Sequence, residues 1–188
     1  MVKRNYLSIL NEYKYIIYSR FDQYYVDIHP KIENDEILIP EGEDYKGICD
    51  RHAIFPVKYA EEFLSICDYI NKPQALERVP NYNNCESAFL SQLTYNGLIK
   101  KVKRYNRSQF TSTLKGEPTN WRVAKYKVYF SRKLMIKYPD EFIDSIKNSI
   151  YKNTFFKYFF SEPILVLNYL FLILRRMFGN LKSKYITN

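Results

Sequence analysis

Two short stretches of this sequence gather charged side chains in a way that chemistry could use. Arg20-Phe21-Asp22 follows the β-rich run Lys14–Ser19, KYIIYS, and a carboxylate delivered to the carboxyl end of a strand faces the crevice where α/β folds bind ligands. A solvated strand terminus with an incidental ion pair would use the same residues. The second stretch, Ile39–His52, combines Glu41, Glu43, Asp44 and Asp50 with Gly42, Gly47 and an Asp50-Arg51-His52 triplet, and functional groups favour loops held by a rigid scaffold. Its carboxylates lack the alternating ligand spacing of an EF-hand, which sets calcium aside. His29 and His52 have no Ser or Cys partner in a triad pattern and read as structural polar residues. Cys49, Cys67 and Cys85 form no CxxC pair and no zinc spacing with histidine, so reduced thiols in a cytosolic compartment are expected.

The elements that must position these residues follow from pattern. A short helix over Tyr6–Tyr13, then strands over Lys14–Ser19 and Glu36–Ile39 and a third short apolar segment Ala53–Phe55, enclose a polar stretch Asp27–Asp35 and a loop Pro40–Asp50. Val57, Ala60, Phe63, Leu64, Cys67 and Ile70 recur at helical spacing and predict one amphipathic helix over Val57–Ile70. Asn71–Asn83 reads as a connector with two prolines. Asn84 is a cap for a second helix that runs to Gly97. Strands are expected over Leu98–Tyr105 and Trp121–Phe130 with a polar loop between, forming a pair with one basic face. Arg132–Tyr138 and Asp140–Tyr151 read as helices broken at Pro139, and Ser161 with Pro163 starts a last helix.

The order Tyr15-Ile16-Ile17-Tyr18-Ser19-Arg20-Phe21-Asp22, then Ile37-Leu38-Ile39-Pro40-Glu41-Gly42, then Gly47-Ile48-Cys49-Asp50-Arg51 before a helix, resembles bacterial and viral glycosyltransferases of the lipopolysaccharide-synthesis (WavE-like) kind. Asn84-Cys85-Glu86-Ser87-Ala88-Phe89-Leu90 followed by Gly97-Leu98-Ile99 is similar to a later element of that family, and the likeness covers roughly Tyr13 to Lys103. It implies an α/β fold, a partial GT-A-like mixed sheet with flanking helices and a C-terminal helical tail. It implies transfer of a sugar from a nucleotide-sugar donor to a cell-surface glycan or lipid-linked acceptor. Asp22 would hold a divalent cation, Mn or Mg, that bridges to the donor's diphosphate. Arg20 would pair with phosphate. Asp50 would line the acceptor side as base or hydroxyl ligand with Arg51 beside it, and Glu86 would be a second base or a positioning residue; a first-turn glutamate is also a routine helix-dipole partner. The family needs a nucleotide-binding βαβ portion of roughly thirty residues ahead of this strand, so the chain is expected to be truncated, split from a partner that supplies that half, or decayed. A non-catalytic remnant or basic accessory protein is the rival expectation.

Composition and charge bound the rest. The 188 residues suit residues 1–154 as one α/β domain and 155–188 as a basic, apolar tail. The net charge of +9 is uneven: residues 1–97 hold 10 Lys/Arg against 15 Asp/Glu, and residues 98–188 hold 19 against 5. A basic half attracts anionic lipid, nucleic acid or phosphorylated substrate alike. Basic and aromatic residues interleave in Leu98–Arg107 and Trp121–Lys133, yet no recognised nucleic-acid motif is present, which disfavours nucleic acid. The N-terminus shows no signal-peptide pattern. The apolar run Ile164–Leu174 is about half of the ~20 residues a bilayer span needs. With Phe155–Phe160 upstream and Arg175, Arg176, Lys182 and Lys184 downstream, it reads either as a helix on an anionic cytosolic leaflet or as a buried helix of the fold.

Overall fold

A computed structural model describes residues 9–78, 84–114, 128–130, 134–152, 159 and 163–186. They fall into two compact units, the first built from residues 1–20 and 30–106 and the second from residues 21–29 and 107–188. Of the expected first helix Tyr6–Tyr13, residues 6–8 lie outside the described residues, while Ile9 and Leu10 are helical and Asn11 and Glu12 turn out of it; Trp121–Lys127 of an expected strand and most of the aromatic run ahead of the tail also lie outside.

In the first unit four strands, β1 (Tyr15–Ser19), β4 (His52–Pro56), β3 (Ile37–Pro40) and β5 (Val102–Tyr105), form one mixed sheet in that order. β1 pairs antiparallel with β4, Tyr15 opposite Pro56 and Ser19 opposite His52, and β3 pairs parallel with β5, Ile37 opposite Val102. At the sheet edge, β1 alternates between exposed and half-buried residues, whereas every residue of β3 and β4 is buried; central strands covered on both faces read as continuous apolar runs. Phe63 joins the sheet to the helices: its ring stacks on Phe55 at 4.0 Å between centroids and meets Phe89 edge-on at 5.3 Å.

The single helix expected over Val57–Ile70 is three pieces, a 3₁₀ turn Val57–Tyr59, α1 (Ala60–Phe63) and α2 (Ile66–Ile70). The interruption is held from a distance. The Gln92 and Asn96 side-chain amides both donate to the Glu62 carbonyl and to the Ser65 hydroxyl, satisfying groups that a continuous helix would have paired internally. The connector before Asn84 contains a further helix, α3 (Pro73–Arg78). α4 (Cys85–Tyr95) begins and ends as its sequence dictates: the Asn84 Oδ1 accepts the Ser87 N–H at 2.8 Å, and Gly97 takes φ +72°. Leu98–Lys101 forms a 3₁₀ turn rather than the start of a strand. Asp35 pins the segment ahead of β3; its bonds to Lys58 (2.6 Å) and the Tyr59 hydroxyl (2.6 Å) hold its carboxyl down at about 2.

The second unit is a four-stranded sheet in the order β2 (Gln23–Tyr25), β6 (Gln109–Leu114), β8 (Leu134–Ile136), β7 (Val128–Phe130), antiparallel throughout. β6 stands in the described part of the expected polar loop, and β8 in the described part of the helix expected over Arg132–Tyr138. Among the described residues the two basic segments do not pair: β5 belongs to the first sheet and β7 to the second. α5 (Pro139–Lys152), with Pro139 as a fresh start, and α6 (Pro163–Ile186) pack on this sheet around Phe110, Ile136, Phe142, Ile146, Leu165 and Leu172.

β6 is polar yet buried because α5 offers matching partners. The Glu141 carboxylate accepts the Thr111 N–H at 2.7 Å, the Ser145 hydroxyl reaches the Gln109 carbonyl at 2.6 Å, and the Asn148 amide donates to the Arg107 carbonyl at 2.9 Å. Arg107 completes the set with an ion pair to Glu141 at 3.3 Å, the two side chains only 6% and 1% exposed. Removing one member of such a pair strands the other charge in the interior. Glu141→Ala is therefore expected to lower the stability of this unit by about 3–5 kcal/mol, read as a drop in the urea midpoint of the circular dichroism transition.

Candidate functional site

The loop Glu41–Arg51 leaves β3 in a backbone that few residues adopt readily. Glu43, Tyr45 and Lys46 all have positive φ (58°, 39° and 71°), beside Gly42 at 83°. Such residues cost of order 1–3 kcal/mol each and persist where their surroundings over-determine them. Asp44 sets the turn, its carbonyl accepting the Gly47 N–H at 2.6 Å and its Oδ1 the Cys49 N–H at 3.0 Å. Arg104 on β5 grips the same carboxylate with both terminal nitrogens, at 3.2 and 2.8 Å, and donates to the Pro40 carbonyl at 2.5 Å. That geometry is bidentate.

The far side of the loop lies on the first turn of α4. At Gly47 a Cβ would stand 2.1 Å from the Glu86 carbonyl carbon and oxygen and 2.3 Å from the Ser87 nitrogen, so only glycine permits the approach. The Ile48 N–H donates to the Glu86 carbonyl at 3.2 Å, and the Asn84 side-chain amide to the Tyr45 carbonyl at 2.6 Å. Gly47-Ile48-Cys49-Asp50 and Asn84-Cys85-Glu86 are thus brought together through backbone contact.

Arg51 sits where they meet. It is 7% exposed, lies 3.4 Å from Glu43 and 4.0 Å from Glu86, and faces the Tyr45 ring at 5.9 Å. Both carboxylates address one guanidinium, which holds Glu86 and the loop in register. Arg20 follows β1, its N–H donating to the Arg51 carbonyl at 3.1 Å. Asp22 belongs to the second unit, where its carbonyl accepts the Ser112 N–H at 2.8 Å ahead of β2. Among the described residues no group of three or more His, Cys, Asp or Glu side chains could hold a metal ion, so the ligand set for the divalent cation is not assembled within them. His52 is buried on β4 with its ring edge-on to Tyr105, and His29 packs against Tyr25 with burial lowering its pKa.

Beside this junction the first unit holds a cavity of about 540 Å³. Tyr18, Asp50, Asn84 and Cys85 line it together with an apolar wall that includes Phe63 and Phe89. The Asp50 Oδ1 is buried and has no hydrogen-bond partner among the described residues, an arrangement that leaves a carboxylate oxygen ready for an incoming donor. Burial, then the negative charge of Asp50, push the Tyr18 phenol above its ordinary 10.0, with Arg20 opposing. Tyr18 is therefore a neutral phenol at any physiological pH. Pattern reading passed over Tyr18 and Cys85. For Tyr18 the available signal was its inward phase in the alternation of β1; Asn84, recognised as a cap, also ties the loop.

Two outcomes follow from this geometry. Gly47→Ala is expected to destabilise the first unit by about 1–3 kcal/mol through overpacking against the α4 backbone, measured by urea denaturation. Because the folded Tyr18 pKa is raised, its contribution is complete below the unfolded value of 10.0 and is lost as pH rises through the folded one; Tyr18→Phe should flatten the alkaline fall in the urea midpoint. In comparisons with known proteins, no family model, curated protein or solved structure matches this chain.

Proposed function

We propose that this chain serves glycosyl transfer from a nucleotide sugar to a hydroxyl of a cell-surface glycan or lipid-linked acceptor, with the cavity of the first unit as the acceptor site. The observation that carries the reading is the buried Asp50 Oδ1, without a hydrogen-bond partner among the described residues, in a largely apolar cavity. Such an oxygen accepts the acceptor hydroxyl, and the aromatic wall takes the apolar face of a sugar ring or an attached chain. As the acceptor oxygen bonds to the anomeric carbon, its proton passes to Asp50. The bond from that carbon to the diphosphate oxygen breaks, and the electron pair leaves with the nucleoside diphosphate. Tyr18, held neutral, donates a hydrogen bond at the same wall. Glu86 and Arg51 act as positioning residues through their ion pair. The donor side, with Asp22 on a divalent cation and Arg20 on the diphosphate, rests on the resemblance, as does the partial GT-A-like assignment of the mixed sheet.

A second reading, binding without catalysis, is favoured by Arg51 itself: Glu43 and Glu86 engage the guanidinium that the resemblance gives to substrate.

The test uses the whole chain with alkyl glycosides as acceptors and a panel of nucleotide sugars with manganese. Glycoside binding should slow alkylation of Cys85, which lines the cavity. Asp50→Asn should keep that protection and lower any transfer by about 10²–10⁴-fold. Protection without transfer for any donor would select the second reading, and alkylation of Cys85 unaffected by every glycoside would sink both.

A further inference from the structure

α6 is apolar on two opposite sides. Leu165, Val166 and Leu172 are buried in the core of the second unit, with Tyr169 and Ile173 packed against it. On the other side Leu167, Phe171, Leu174, Met177 and Phe178 stand 53–64% exposed. Residues 167, 171, 174 and 178 repeat at the spacing of one helix face. A surface helix that only closed a core would carry polar residues there. A contiguous exposed apolar face marks a docking surface.

Charge identifies what docks. Pro163–Ile186 contains Arg175, Arg176, Lys182 and Lys184 and no Asp or Glu. Arg176 pairs with Asp140 on α5. Arg175 stands half-buried on the same helix, and Lys182 and Lys184 follow it in sequence. A second copy of this chain meeting the stripe through its own α6 would set two acid-free basic helices against each other. An anionic lipid surface neutralises the same charges while its acyl boundary takes the apolar side chains. The helix is about 36 Å long, and no helix among the described residues is long and apolar enough to cross a membrane. We infer that the outer face of α6 docks the chain on an anionic lipid surface, the helix lying in the plane of the interface with its stripe sunk among the acyl chains and its basic residues serving the head groups.

Cosedimentation of the full chain with phosphatidylserine/phosphatidylcholine vesicles, and with phosphatidylcholine alone, tests this. The chain should bind the anionic vesicles at low salt and be released as salt rises. The double variant Leu167→Ser/Leu174→Ser should weaken binding to both vesicle types more than tenfold, because burial needs no charge. Arg175→Gln with Lys182→Gln should weaken only the anionic case, about fivefold for each charge removed. Circular dichroism verifies the fold of each variant, and Phe178→Ser supplies the apolar readout should the double variant unfold. Absence of sedimentation with anionic vesicles at low salt overturns the inference. So does a dimer in solution that the leucine substitutions break while vesicle binding is unchanged.

Discussion

A hydrogen atom where other residues carry a side chain lets the loop after β3 lie on the first turn of α4, and the candidate site depends on that approach. Any Cβ at position 47 would meet the Glu86 and Ser87 backbone well inside van der Waals distance. Pushing loop and helix apart would separate the Tyr45 carbonyl from Asn84, the Ile48 N–H from the Glu86 carbonyl, and Arg51 from Glu86. These contacts, together with the grip of Arg104 on Asp44, offset the unfavourable φ values of Glu43, Tyr45 and Lys46. The low exposure of Arg51 makes the arrangement cooperative. Each carboxylate keeps a buried guanidinium compensated, and losing either leaves charge in a poorly solvated place.

What could be seen in advance were features whose cause is local. Asn84 caps α4 and Gly97 ends it because an amide oxygen within reach of an N–H, and a residue free to take positive φ, act within three or four residues. β1 and β3 were evident from β-branched and aromatic runs, whereas the segment of β4 showed only as a short apolar stretch. The failures have distant causes. The break between α1 and α2 is satisfied by Gln92 and Asn96, some thirty residues along the chain. β6 is buried only because Glu141 and Ser145 on α5 answer its polar groups. β8 is a triplet, Leu-Met-Ile, too short to show a period, so pairing with β6 and β7 decided its state.

The site was legible in the same uneven way. The loop with Asp50 and Arg51 was marked by composition and the helix start with Glu86 by the resemblance, and the fold joins them. Arg51, assigned to substrate, turns inward to two carboxylates because their joint attraction in a shielded pocket competes well with solvent. Asp22 is two residues from Arg20, yet the two belong to different compact units. No local pattern announces that crossing, since the antiparallel pairing of β2 with β6 is fixed by residues nearly ninety positions away.

α6 shows how a register can divide what composition leaves undivided. A run as apolar as Ile164–Leu174 fits either a buried helix or a lipid-facing one, and hydropathy alone treats the two alike. On the helix the residues separate by phase. Leu165, Val166 and Leu172 close the core, so the demand of folding for apolar surface is met on that side. The apolar residues of the opposite phase answer a different demand, since leaving Phe171, Leu174 and Phe178 in water gains the fold nothing. Basic residues without an acidic counterpart along the same helix are the reason the proposed occupant is an anionic interface rather than a second protein core.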